Sequence, residues 1–205
     1  MEISTKEEKK ERTSLAPEEL EYKIKIATQT LDHNLRFVAN CDTKTSIVLS
    51  TVGIVSTIVF AKYAFNEILY HIIKRCIALN NFFSNFCLVL FAAAILIVLL
   101  GIFTLASVLI ATISKGPSEE SADRKEEISL TFFSGILKSG DSKTYRDRFY
   151  DMSREELLDD LIKQIYINSE IAARKYKKYN MGLKYVLTGI SLFAVSLIIG
   201  VYLYL

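Results

Sequence analysis

Lys143, Arg146 and Arg148 surround Tyr145 on a short polar stretch, and Tyr150 follows. Further along, Lys163, Tyr166, Arg174, Lys175, Lys177 and Lys178 repeat the mixture of bases and aromatic rings. Arginine and lysine bind phosphate oxygens, and an aromatic ring can stack on a planar base. The chemistry on offer is recognition of a phosphate-bearing, aromatic ligand. Arg36, Lys143, Arg146, Arg148, Lys163 and Lys175 are the candidate phosphate contacts, with Tyr145 or Tyr166 for stacking. The same bases also fit a solvated charged stalk and a positive belt beside anionic lipid.

Catalytic chemistry finds little support. There is no GxSxG elbow and no Walker sequence, and the acids form no metal cluster by spacing. A charge-free stretch that could span a membrane lies between His33 and His71, so the two are not expected to meet. Asp159 and Asp160 are adjacent near a helix start, where acids suit the dipole. The chain is therefore expected not to be an enzyme, with no metal and no organic cofactor. Cys41, Cys76 and Cys87 are odd in number and lack CxxC spacing. They read as free, partly buried thiols.

The elements that must carry these residues are set by three stretches without charge. Lys44 and Lys62 bracket 17 uncharged residues, Arg75 and Lys115 bracket 39, and Lys184 is followed by 21. A bilayer core of about 30 Å needs roughly 20 apolar residues in a helix. The composition, 51% hydrophobic yet 23% charged, fits apolar spans joined to charged soluble pieces. The formal net charge of +2 is too small to argue for nucleic acid. The expected fold is an all-α membrane protein with three transmembrane helices. Helices 1 and 3 extend into a cytosolic stalk, with a small cytosolic insertion where Ile128 to Phe133 could form a short strand.

The expected organisation is a disordered tail over 1–16, a cytosolic helix over 17–44, and a first span over 45–65. An extracytoplasmic loop over 66–85 holds His71, Lys74, Arg75, Asn80 and Asn81 in a turn. A second span covers 86–114, a cytosolic ligand-sensing region 115–184, and a third span 185–205. Pro17 with Glu18 and Glu19 makes a good helix start. Ser153 with Glu156 has the spacing of a capping box. Leu20, Ile24, Ala27, Leu31, Asn34 and Val38 form one coiled-coil-like seam. Leu158, Leu161, Ile165, Asn168 and Ala172 form another. A lone seam asparagine such as Asn34 or Asn168 can fix register. Asp42 and Gln164 are expected to hold the stalks together. Ser46, Ser50, Gly53 and Thr57 make a small, hydroxylated stripe on span one, suited to close helix packing or to lining a wet path.

Orientation follows from the bases beside the spans. Arg36 and Lys44, then Lys115, Arg124 and Lys125, then Arg174, Lys175, Lys177, Lys178 and Lys184 fall on one side, a sum of 2 + 3 + 5 = 10. Lys62, Lys74 and Arg75 make 3 on the other. The first twenty residues carry no apolar signal region. The N-terminus is expected in the cytosol and the C-terminus outside. No span carries a buried charge, which argues against an ion-coupled transporter.

Three segments resemble the Pycsar-type transmembrane effectors. NLRFVANCDTKTSIVLSTVG (34–53) is similar to their entry into the first span, with Cys41 where the family usually has alanine. SLTFFSGILKSGDSKTYRDRF (129–149) resembles their Phe-Phe-Gly segment, here interrupted by Ser134. DDLIKQIYINSEIAARKYKKYNMGLKYV (159–186) resembles their D-L-x-x-Q-I-Y-x-x-S-x-I-A-x-x-K-Y signature before the last span. The likeness runs in order over about three quarters of the chain. It implies a bacterial antiphage effector in the inner membrane, answering a cyclic mononucleotide or nucleotide oligomer made by a partner cyclase or nucleotidyltransferase. Together with stalks that could pack as copies and spans able to form a pore, it makes a homo-oligomeric channel or pore, opened or closed by that signal, the leading expectation. The alternative is a structural membrane scaffold that docks a partner protein and takes no small ligand.

Overall fold

The structure is a computed structural model that describes residues 16–110 and 129–204. The tail over 1–15, the stretch 111–128 and Leu205 lie outside the described residues. So do the disordered tail expected there, the bases Lys115, Arg124 and Lys125, and Ile128 of the expected strand.

Among the described residues six helices follow in order: α1 (Pro17–Ala61), α2 (Tyr63–Leu79), α3 (Phe82–Leu109), α4 (Phe133–Lys138), α5 (Ser142–Asp151) and α6 (Arg154–Tyr204). Among the described residues there is no strand. The stretch Ser129–Phe132, expected as strand, is bent chain leading into α4. Its backbone donors go to side chains rather than to a ladder, which is why it cannot extend. Helices α1, α3 and α6 are each long and apolar enough to cross a membrane, and the protein is a membrane protein.

The chain divides into two compact units, Met1–Val38 with Ile113–Ala172 and Ala39–Thr112 with Ala173–Leu205. In the first, the two seams meet. Leu20 and Ala27 of α1 and Leu161, Gln164 and Asn168 of α6 are buried. Ile24, Leu31, Asn34 and Val38 are half-buried on the same face of α1. The Asn34 amide donates to the Ile165 carbonyl at 3.3 Å and to the Ser169 hydroxyl at 2.8 Å. Near the helix starts, Arg154 reaches Glu21 at 3.9 Å. These contacts make the α1 and α6 segments of this unit parallel neighbours. The capping box forms as spaced: the Ser153 amide donates to the Glu156 carboxylate at 2.8 Å, and the Glu156 amide to the Ser153 hydroxyl at 3.2 Å.

In the second unit, α3 and α6 run antiparallel at very close approach. On α6 the inward face is Gly182, Val186, Gly189, Phe193, Ser196 and Gly200, alternating by four and three residues, with Gly200 meeting Ile72 of α2. A Cβ built on Gly189 would lie 2.5 Å from Val98 Cγ2 and 2.9 Å from the Val98 nitrogen. One on Gly101 would lie 2.8 Å from Val186, and one on Gly182 would lie 2.8 Å from Leu105. Lipid tails give helices no hydrophobic reason to associate, so small residues that admit close contact hold such pairs together.

The expected loop over 66–85 is mostly helix. Helix α2 occupies Tyr63–Leu79, and the turn shrinks to Asn80 and Asn81. Lys62 is extended between α1 and α2, with neither proline nor glycine to announce the break. The Asn66 amide donates to the Phe60 carbonyl at 2.7 Å, satisfying an acceptor at the end of α1. Asn80 closes α2 in the left-handed region at φ 42°, a role asparagine tolerates. The Asn81 side chain then accepts from the Ser84 amide at 2.9 Å and starts α3. Ile72 and Cys76 of α2 form a small core with Cys87 and Phe91 of α3, and Phe193 and Leu197 of α6 pack against it.

A methyl group at residue 189 would meet backbone atoms, so the helices themselves must part. Gly189→Ala is expected to cost about 1–3 kcal/mol, read as a lower melting temperature in detergent micelles. Gly53 has nothing within 4 Å of its Cβ position. In the dissociated single chain, Gly53→Ala should leave the melting temperature unchanged or raise it, because alanine favours helix by about 1 kcal/mol.

Candidate functional site

The basic stretch around Tyr145 is α5, in the first unit. Its start is fixed by Asp141, whose carboxylate accepts from the Thr144 amide at 2.7 Å. The hydrogen bonds of Thr144 hold that carboxyl below the usual carboxylate range. A depressed folded value means the cap's contribution is complete above the unfolded pKa and is lost as pH falls through the folded one.

The segment before α5 is tied to α6 by one carboxylate. Asp160 Oδ2 accepts from the Thr131 hydroxyl at 2.6 Å, the Thr131 amide at 3.1 Å and the Ser129 hydroxyl at 3.0 Å. Ser129 Oγ in turn accepts from the Phe132 amide at 3.1 Å. Asp160 was expected to be helix-dipole surface; it is the anchor of this segment. Its place inside the D-L-x-x-Q-I-Y run, with two hydroxyl residues upstream, was the available signal. Gly135 passes so close to Ser129 that any Cβ would overlap the Ser129 carbonyl. That accounts for the glycine of the Phe-Phe-Ser-Gly segment.

Tyr145 is half-buried, and its hydroxyl donates to the Leu130 carbonyl at 3.0 Å. Its ring leans on Phe149 at 5.9 Å between centroids. Tyr145 therefore fastens α5 rather than offering a ring to a ligand. Lys143, Arg146 and Tyr150 stand three and four residues apart, so they share one face of α5. All three are exposed, Tyr150 at 79%. Arg146 lies 3.5 Å from Asp147. Arg148 is exposed but falls on the other side of the helix by spacing. Tyr150 is thus the aromatic residue that sequence reasoning passed over, since only the anchoring of Tyr145 distinguishes the two.

The remaining candidates scatter. Arg36 is exposed and paired with Asp32 at 3.0 Å, four residues back on α1. Lys163 and Tyr166 are exposed on α6, Tyr166 at 60%. Lys175 belongs to the second unit, where its ammonium donates to both oxygens of Asp42 at 2.6 and 2.8 Å. Its side chain is only 12% exposed, so the expected phosphate contact is a structural ion pair. Asp42 stands beside Cys41, whose thiol is pushed up by burial and then by that carboxylate. Asn168 is buried and its amide donates to the Gln164 carbonyl at 2.8 Å. Gln164 Oε1 is buried with no hydrogen-bond partner among the described residues. Ser46, Ser50, Gly53 and Thr57 are all exposed, with the Thr57 hydroxyl returned to the Gly53 carbonyl at 2.9 Å. Among the described residues no group of histidine, cysteine or acid is arranged to hold a metal.

The family model of the Pycsar effector protein domain matches residues 26–201. The chain belongs to the Pycsar effector family. The Pycsar effector protein GmPycTM of Gulbenkiania mobilis is similar at 23% identity over 184 residues, 87% of this chain and 92% of the relative. No solved structure matches the chain. The family match spans α1 from Ile26, all of α2 to α5 and α6 as far as Val201. In this Pycsar effector the Asp160-anchored α4–α5 segment lies wholly within the family match.

Asp160→Ala would orphan three donors, each worth about 1.5–3 kcal/mol when the acceptor is charged and less when half-exposed. The variant is expected to be cut by trypsin at Arg146 and Arg148 about tenfold faster, a change of about 1.4 kcal/mol in local opening. Asp42→Ala strands a mostly buried ammonium and should destabilise by about 1–3 kcal/mol, and adding Lys175→Met should recover most of that loss. Thermal melts of the single and double variants check it.

Proposed function

We propose that this chain is an antiphage defence effector of the bacterial inner membrane, a homo-oligomeric channel or pore whose state is set by a nucleotide-derived signal. The observation that carries the reading is the outward face of α5, with Lys143, Arg146 and Tyr150 presented together on a family member. Two cations suit phosphate oxygens and an exposed ring suits a base. Arg36, Lys163 and Tyr166, exposed on the neighbouring helices of the same unit, would complete the site or line a facing copy. The ligand class is a cyclic mononucleotide or a nucleotide oligomer from a partner cyclase or nucleotidyltransferase, acting to open the pore or to hold it shut. A ligand can shift such an equilibrium only by its differential affinity for the two states.

Self-assembly has its own support. After Thr45 no residue of α1 is buried within one chain, and the small stripe Ser46, Ser50, Gly53 and Thr57 stands open. In lipid a face of that kind packs closely on another helix or borders water. The excess of bases, 10 against 3, supports a reading with the α5 unit and the N-terminus in the cytosol and the C-terminus outside.

The test is mass spectrometry of small molecules released from the purified, detergent-solubilised protein co-expressed with its neighbouring genes, followed by binding of the identified nucleotide to variants. Lys143→Ala with Arg146→Ala should weaken binding about 10- to 100-fold, since hydrogen bonds to charged groups contribute about 1.5–3 kcal/mol each. Tyr150→Ala should weaken it about tenfold through lost stacking. Arg148→Ala should change it little. No released ligand, with no melting shift across a nucleotide panel, would instead support a scaffold that docks a partner protein.

A further inference from the structure

Helix α2 has more apolar surface than its own chain covers. Ile72 and Cys76 point into the core with α3, and Leu69 packs beside them. Two apolar flanks border that stripe and remain open. Ile68 is exposed at 52% on one side, and Ile77 at 62% on the other, where Ile73 also lies. The opposite face carries Glu67, His71, Lys74 and Arg75, all exposed. Seventeen residues with Glu67, His71, Lys74 and Arg75 among them cannot cross a bilayer. Yet α2 is tethered at both ends to helices that can: only Lys62 separates it from α1, and only Asn80 and Asn81 from α3.

The aromatic residues around it form a set. Tyr63, Tyr70, Phe82 and Phe83 on α2 and α3, and Tyr202 near the end of α6, are all largely exposed. Lys74 sits 5.8 Å over the Tyr70 ring. Aromatic rings with adjoining bases mark the level of lipid headgroups. Lys62, Lys74 and Arg75 against Glu67 leave the segment cationic, complementary to lipid phosphate.

We propose that α2 is an interfacial helix lying in the headgroup zone of the bilayer. Ile68, Ile73 and Ile77 enter the acyl boundary to a depth of about 5–10 Å. Lys74 and Arg75 face phospholipid phosphates. The partner is the lipid surface, and α2 connects it to the spans: a Cβ on Gly200 of α6 would lie 2.5 Å from Ile72 Cγ2. Helix α2 cannot change depth or tilt in the headgroup zone without disturbing the end of α6.

The chain contains no tryptophan, so one introduced residue reports alone. Ile77→Trp and His71→Trp are made in the full chain and reconstituted in vesicles of phosphatidylcholine and phosphatidylglycerol. Ile77→Trp should emit to the blue, be quenched by phospholipids brominated near the headgroup end, and resist aqueous acrylamide. His71→Trp should show the reverse. Ile73→Trp, on the same flank, repeats the reading if Ile77→Trp does not fold. Equal acrylamide quenching of the flank and His71 positions would put α2 in water and overturn the proposal. Shielding of the flank from both quenchers would mean that protein covers it, and would overturn the proposal equally.

Discussion

The close approach of α3 to α6 is the constraint that organises the second unit. Between helices in lipid there is no gain from removing apolar surface from water. Association depends on dispersion contacts, which fade within an ångström of added separation. Gly101, Gly182 and Gly189 remove the side chains that would hold the backbones apart. Val98, Val186 and Leu105 fill the recesses those glycines leave. Once α6 is seated this way, its last turns present Phe193, Leu197 and Gly200 to α2 and α3. The small core of Ile72, Cys76, Cys87 and Phe91 then has its lid.

The first unit rests on a different principle. Its seam is narrow and partly polar, so few kilocalories come from apolar burial alone. Specific pairs supply the register instead. Asn34 reaches across to Ile165 and Ser169, and Asp160 gathers the donors of Ser129 and Thr131. A half-buried carboxylate with three donors is stable only in one arrangement, which positions α4 and then α5. The exposed bases of α5 are thereby presented from a segment fixed on its inner side by Tyr145. Gln164 Oε1 in the same seam has no hydrogen-bond partner among the described residues, a local cost that the surrounding pairs must offset.

Much of this was legible in the residues. The three apolar stretches, the helix start at Pro17, the capping box at Ser153 and both seams correspond to what the structure holds, because each rests on local spacing. The failures share a cause as well. The 66–85 stretch carries bases and histidine, which suggested a turn, yet its apolar residues recur at helical spacing and make α2. The alternation expected over Ile128–Phe133 is too brief to compete with the hydroxyl and amide bonds that bend Ser129–Phe132. Asp160 looked like dipole-compatible surface, and Tyr145 like a stacking platform, because nothing local says where a distant donor or carbonyl will be. Lys175 reads as one more base in a basic run, until Asp42 is found 133 residues away.

The sequence by itself determined the class of the protein: three membrane-length helices, two charged helical segments with apolar seams, and a basic aromatic stretch between them. Charge-free length and heptad spacing are local properties, and a bilayer enforces them because every backbone group in it must be satisfied within the segment. The tertiary structure alone decided which bases are available. Lys175 is held in an ion pair and the Tyr145 hydroxyl by a carbonyl, while Lys143, Arg146 and the ring of Tyr150 share one exposed face of α5. It also turned four glycines from helix weaknesses into contact points, since a missing side chain has value only when another helix stands against it.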